Sequence, residues 1–287
     1  MEKDILFFIA LVLGLMTITW IFGYFLVIMY EAIALLAVGV LSMFYPLISA
    51  IITNRYFTKM TLGELNVKLR FLFALAPLIL VFLYPFLVIY VGAVIASPFI
   101  PVDWYASTLI SGMQKAIRDA TGIEVSVETI IMMLAFSYIF SSVVNSIPAY
   151  GEEAGWRGFL WTRLKQSYSL EKALVILGVV WGVWHWPLYA AVNLIKKTPM
   201  HLLIPFLLEF VLFTTGISVF LVWLVEKTNS ILYPSIAHGA INAGLGFGYY
   251  VVLVDDPLIG FNSGIIPIIA IWIIAFFCYL DLKKMEI

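Results

Sequence analysis

An all-α, polytopic integral membrane bundle of about eight transmembrane helices is the fold class this sequence predicts. Three observations predict it. The 287 residues are 63% hydrophobic and only 11% charged, where a soluble domain is about half apolar and about a quarter charged. Mean hydropathy is +1.06. Apolar runs of about 20 residues, the length that crosses a bilayer core, recur along the whole chain.

The same composition narrows the function. Net charge is −1 and pI is near 6.3, which offers no basic field for nucleic acid. The one cysteine, Cys278, sits in the last apolar run. Neither a disulfide framework nor a cysteine metal cluster is therefore expected. Met1-Glu2-Lys3-Asp4 leads directly into a long apolar stretch. That pattern lacks the basic leader and short apolar region of a signal peptide, so a retained first span is expected. No repeat, low-complexity tract or flexible linker interrupts the chain, and residues 1–287 read as a single transmembrane domain.

Taken in order, the expected spans are about 5–29, 32–53, 71–97, 128–149, 171–194, 202–225, 231–254 and 264–281. Glu31 is the only charge between the first two, so a tight hairpin is expected there. Segment 98–127 carries Asp103, Lys115, Arg118, Asp119 and Glu124; it reads as an amphipathic surface excursion rather than a further span. With eight spans both termini share a side. That side collects twelve Lys and Arg residues, against four on the other (Lys115, Arg118, Lys196 and Lys197). Basic loops mark the cytoplasmic face, so both termini are expected in the cytoplasm.

Ionisable groups inside spans are costly unless they pair or line a cavity, which makes them functional candidates. Three places qualify. Gly151-Glu152-Glu153-Ala154-Gly155-Trp156-Arg157-Gly158 lies at the end of the fourth span. Glu153 and Arg157, four apart, share a helical face, leaving Glu152 on another. An internal salt bridge at a membrane boundary is the plainer reading. Trp181-Gly182-Val183-Trp184-His185-Trp186-Pro187 puts His185 about 14 residues into the fifth span, roughly 20 Å deep. Trp181 lies one turn earlier on the same face. Pro187 should kink the helix and free carbonyls one turn back. The plainer reading is a buried histidine bonded to a nearby carbonyl. Finally, His238 and Asn242, four apart, lie in Ala237-His238-Gly239-Ala240-Ile241-Asn242-Ala243-Gly244. Small residues there allow close helix approach, and the plainer reading makes the two polar groups interhelical glue. Glu209 is an intramembrane carboxyl of second rank; Glu31 and Glu128 read as interfacial, and His201 as solvated.

One or two carboxylates, two imidazoles and an amide are a set for activating water and stabilising an oxyanion. No span holds an aspartate pair, no His-Glu-x-x-His motif occurs, and no Gly-x-Ser-x-Gly element supplies a serine nucleophile. A glutamate-based or a metal-based hydrolase remains.

Glu152-Glu153-x-x-x-Arg157, Trp181-x-x-x-His185 and His238-x-x-x-Asn242 resemble the three motifs of the type II CAAX prenyl endopeptidases. These sit within the CAAX-protease and bacteriocin-processing family of intramembrane glutamic proteases. The resemblance covers a core of about 128–254. It departs from the pattern at Trp181, where the family usually has Phe. It implies a hydrolase that removes the C-terminal tripeptide of a prenylated Cys-a-a-X protein. In that reading Glu152 is the general base, His185 helps position the water, and His238 and Asn242 form the oxyanion hole. Glu153, Arg157 and Trp181 are supporting residues, and no cofactor is required. A zinc protease using Glu152, His185 and His238 as ligands, a transporter, and a family member without turnover are the alternatives. The expected partners are a prenylated Cys-a-a-X protein and the bilayer. The expected location is the plasma membrane in a prokaryote or the endoplasmic reticulum in a eukaryote.

Overall fold

The computed structural model describes residues 3–58, 75–261 and 263–285. The Lys59, Lys68 and Arg70 positions used in the loop-charge count lie outside them. Every regular element among the described residues is helical, apart from one isolated bridge between Val102 and Val252. Helices are the natural outcome, because a chain in hydrocarbon must satisfy its backbone donors and acceptors within each segment.

Among the described residues, seven helical stretches are long and apolar enough to cross a membrane: Lys3–Tyr30, Ile33–Phe57, Ala76–Ala96, Val127–Ser167, Leu170–Ile195, Met200–Thr228 and Ile265–Lys284. The protein is thus an integral, multi-pass membrane protein. The first lies within α1 (Lys3–Ser42); the second runs from α1 through α2 (Tyr45–Thr53) into the π-helical turn Asn54–Thr58. The expected hairpin is present: Gly23 lies against Val38, and Thr19 and Tyr45 share a hydrogen bond of 2.7 Å. The third stretch is α3 (Leu75–Ala96). The polar segment after it forms α4 (Ser107–Thr121), a helix with no buried residue. Asp103 anchors its start, accepting from the Thr108 backbone N–H (3.1 Å) and the Ser107 hydroxyl (3.0 Å). The Ser107 backbone N–H, with the Thr108 N–H and the Ser107 hydroxyl, holds the Asp103 carboxyl below its ordinary range.

The expected span at 231–254 is where structure and expectation differ. It is not one long helix but α10 (Leu232–Gly244), a 3₁₀ turn at Leu245–Phe247 and α11 (Gly248–Val251). Gly244, Gly246 and Gly248 explain the break, since glycine costs a helix interior about 1 kcal/mol relative to alanine. The chain still traverses the bundle. Beyond α11, Leu253 N–H donates to the Pro101 carbonyl and Asp103 N–H to the Val251 carbonyl, at the end where α3 finishes.

α5 (Val127–Glu153) outruns its expected end at 149 and passes into a π-helical turn, Ala154–Leu160, before α6 (Trp161–Ser167). Wide turns of this kind concentrate at functional sites. α7 (Leu170–Trp184) and α8 (Trp186–Ile195) meet at His185, with Pro187 in the first turn of α8. α9 (Met200–Thr228) and α12 (Ile265–Lys284) complete the bundle.

Close packing fixes where these elements sit. Any Cβ on Gly155 would strike the backbone of Pro46 in α2, and one on Gly239 would strike the Ser142 carbonyl in α5. Small residues at such crossings let helices approach where lipid supplies no hydrophobic drive. Gly155→Ala should therefore lower stability by about 1–3 kcal/mol. This would appear as a reduced Tm in detergent, and an unchanged Tm would show that α2 does not press on this turn.

Candidate active site

Three separated stretches of chain meet at one cavity of about 470 Å³, and Glu152, His185, His238 and Asn242 all line it. Trp184, Leu188, Tyr189 and Val192 contribute from the α7–α8 region; Met16, Leu35, Leu36, Val40 and Met43 form the facing wall in and just after α1. The lining thus combines acid, imidazole and amide groups with a largely aliphatic stretch of the N-terminal helices in which Ser42 is the polar residue.

Glu152 and Glu153 end α5, and neighbouring helical residues point about 100° apart. They accordingly enter different surroundings. Glu152 is 2% exposed. Its Oε2 accepts from the Trp181 indole N–H at 2.8 Å and from the Trp156 indole N–H at 3.3 Å. Glu153 is fully buried; its Oε1 accepts from Arg157 Nη1 (3.0 Å) and from His238 Nδ1 (2.9 Å). Arg157 also donates from Nη2 to the Ser218 hydroxyl of α9 (3.0 Å), and its guanidinium lies 4.4 Å over the Trp181 ring. A buried charge without partners costs several kcal/mol; this network supplies partners for Glu153 Oε1 and for both terminal nitrogens of Arg157, while Glu153 Oε2 and Arg157 Nε are buried without one.

The two histidines are set differently. His185 is half-buried at the α7–α8 junction. There the backbone tightens, so that His185 N–H bonds the Gly182 carbonyl and the Trp181 carbonyl is left for the imidazole. Nδ1 donates to that carbonyl at 2.8 Å, which makes Nε2 of the neutral ring an acceptor. His238 instead gives Nδ1–H to a carboxylate, so Nε2 is again the free nitrogen, now with a counter-charge behind the ring. Asn242, one turn beyond His238 in α10, is exposed. The second nitrogens of both rings are therefore the groups left for chemistry.

Of the other nominated residues, Glu153, Arg157 and Trp181 stand directly behind the cavity-lining groups. The salt bridge expected between Glu153 and Arg157 is present, and so is a carbonyl partner for His185. Glu209 does not join the site: it is half-buried in α9 and absent from the cavity wall. Glu128 and His201 are exposed, and the Glu31 side chain lies outside the described residues. Cys278, in α12, does not line the cavity. Among the described residues no three His, Cys, Asp or Glu side chains are grouped as metal ligands. Sequence reasoning passed over Trp156, although its spacing of four from Glu152 was available. It also passed over Ser218, Tyr189 and the α1 wall, for which no local signal exists.

Fold and site together define a multi-pass helical membrane protein with a buried acid–imidazole centre. Residues 130–244 match the family model described as Type II CAAX prenyl endopeptidase Rce1-like. The resemblance read from the three motifs stands on that match, and all seven nominated residues fall inside it. The chain is also similar to the CAAX prenyl protease 2 of Methanococcus maripaludis, with 31% identity over 121 residues. That alignment spans 39% of this chain and 45%, less than half, of the relative.

The buried network makes a stability prediction. Arg157→Ala strands the Glu153 carboxylate and should cost about 3–5 kcal/mol. Chemical unfolding in detergent reads the loss; Arg157→Lys should restore only part of it, because one ammonium cannot reproduce the fork that bridges Glu153 and Ser218.

Proposed function

We propose that this protein is an intramembrane endopeptidase that removes the C-terminal tripeptide from prenylated Cys-a-a-X substrates. The observation that carries the proposal is the convergence of Glu152, His185, His238 and Asn242 on one cavity that is also lined by Leu35, Leu36, Val40 and Met43. The isoprenoid lies along Leu35, Leu36, Val40 and Met43 while the peptide reaches the polar side. Both termini face the cytoplasm, as the bias of basic loops supports, and the peptide arrives from that side.

Glu152 accepts a proton from water, whose other hydrogen is held by Nε2 of neutral His185. The hydroxide attacks the scissile carbonyl. The tetrahedral oxyanion takes hydrogen bonds from His238 Nε2–H and the Asn242 amide. For His238 this requires the doubly protonated ring, with Glu153 as its counter-ion. On collapse the C–N bond breaks and the leaving amine receives the proton from Glu152. Water is activated without a metal ion in this scheme.

Glu152→Ala, His185→Ala and His238→Ala should each abolish cleavage of a farnesylated Cys-a-a-X peptide by the purified protein in liposomes. Asn242→Ala should retain a residue of activity, reduced about 10²–10³-fold as for other oxyanion donors. Near-normal turnover by Glu152→Ala would refute the assignment of the base.

The metal-free scheme has its own check. Turnover should persist in strong chelator and in Cys278→Ser. Loss in chelator, restored by zinc, would place Glu152, His185 and His238 around a metal instead.

A further inference from the structure

We propose that Trp181 is a positioning residue for Glu152: its indole N–H locks the carboxylate so that Oε1 alone meets the water. The inference rests on the hydrolytic reading above and deepens it. A carboxylate oxygen has two lone-pair sites. On Glu152 Oε2 both face indole donors, Trp181 at 2.8 Å and Trp156 at 3.3 Å. Proton transfer is thereby confined to Oε1. The terminal torsion of a glutamate is otherwise broad, so two donors on one oxygen are what hold the plane of the group.

The donors are themselves held. Arg157 lies 4.4 Å over the face of Trp181 and is tied to Glu153 and Ser218. Trp156 packs edge-on against Phe8 and Trp184, each at 5.7 Å. Trp181 meets the rest of the centre as well: its carbonyl takes His185 Nδ1, and its ring lies 5.3 Å from that of His238. One residue therefore registers all three groups against each other: its ring meets the base and the oxyanion donor, and its backbone carbonyl holds the water-orienting imidazole. A phenylalanine here would keep a face for Arg157 but would have no N–H to give.

The test separates the N–H from the ring. Trp181→3-benzothienylalanine replaces the indole N–H with sulfur at nearly constant shape, and Trp181→Phe removes it with some loss of volume. Both should lower kcat by about 10- to 100-fold, the scale of a hydrogen bond to a charged group. KM for the farnesylated peptide should stay within about twofold of the parent, since no contact with bound substrate is removed. Trp156→Phe, which deletes the longer bond, should lower kcat less. Wild-type kcat in the benzothienyl variant, or a loss carried by KM, would overturn the proposal.

A second readout needs no turnover. The Trp181 indole N–H proton resonance of the folded protein should move upfield in Glu152→Ala. A resonance that does not move would mean that the clamp is absent. Retained turnover in Glu152→Ala would refute the assignment of Glu152 as the base while leaving this spectroscopic result to stand by itself.

Discussion

The Glu153 carboxylate is fully buried among apolar helices, and the site is organised around its need for partners. Within such a bundle no solvent competes for a charge, so every partner must come from the chain itself. Glu153 Oε1 takes Arg157 and His238 together, and Arg157 reaches on to Ser218. The end of α5, the π-helical turn and α10 are joined at that one oxygen, and α9 is tied in through Arg157. The orientation of His238, and with it the nitrogen turned toward the cavity, follows from the same bond.

Two adjacent glutamates thus do different work because a helix turns them into different surroundings. Glu152 faces the cavity and is met by neutral indole donors; Glu153 faces the interior and is met by cationic and imidazole donors. The histidines divide in parallel. A carbonyl behind His185 favours a neutral ring with an acceptor at Nε2, while a carboxylate behind His238 suits a ring that donates from Nε2. Identical residue types thus differ in charge and donor character through the atom that stands behind each.

The aliphatic wall gives the polar groups a setting that a water-filled cleft would lack. Leu35, Leu36, Val40 and Met43 come from the N-terminal hairpin, far along the chain from the three motifs. Hydrogen bonds in such a partly dry chamber are also less weakened by competing water.

By itself the sequence determined the class of fold, most span positions and the pairs that lie four apart. Hydropathy over about 20 residues and helical periodicity are local properties, readable wherever a span is regular. They placed Glu153 beside Arg157, Trp181 beside His185 and His238 beside Asn242. They did not foresee the break near Gly244, because scattered glycines inside an apolar run read as packing residues. Only the tertiary structure decided that Glu153 holds His238 across 85 positions, that Arg157 reaches Ser218 across 61, and that two indoles share Glu152 Oε2. Such contacts depend on how helices cross, which is set by the close approaches at Gly155 and Gly239 and leaves no periodic trace along the chain.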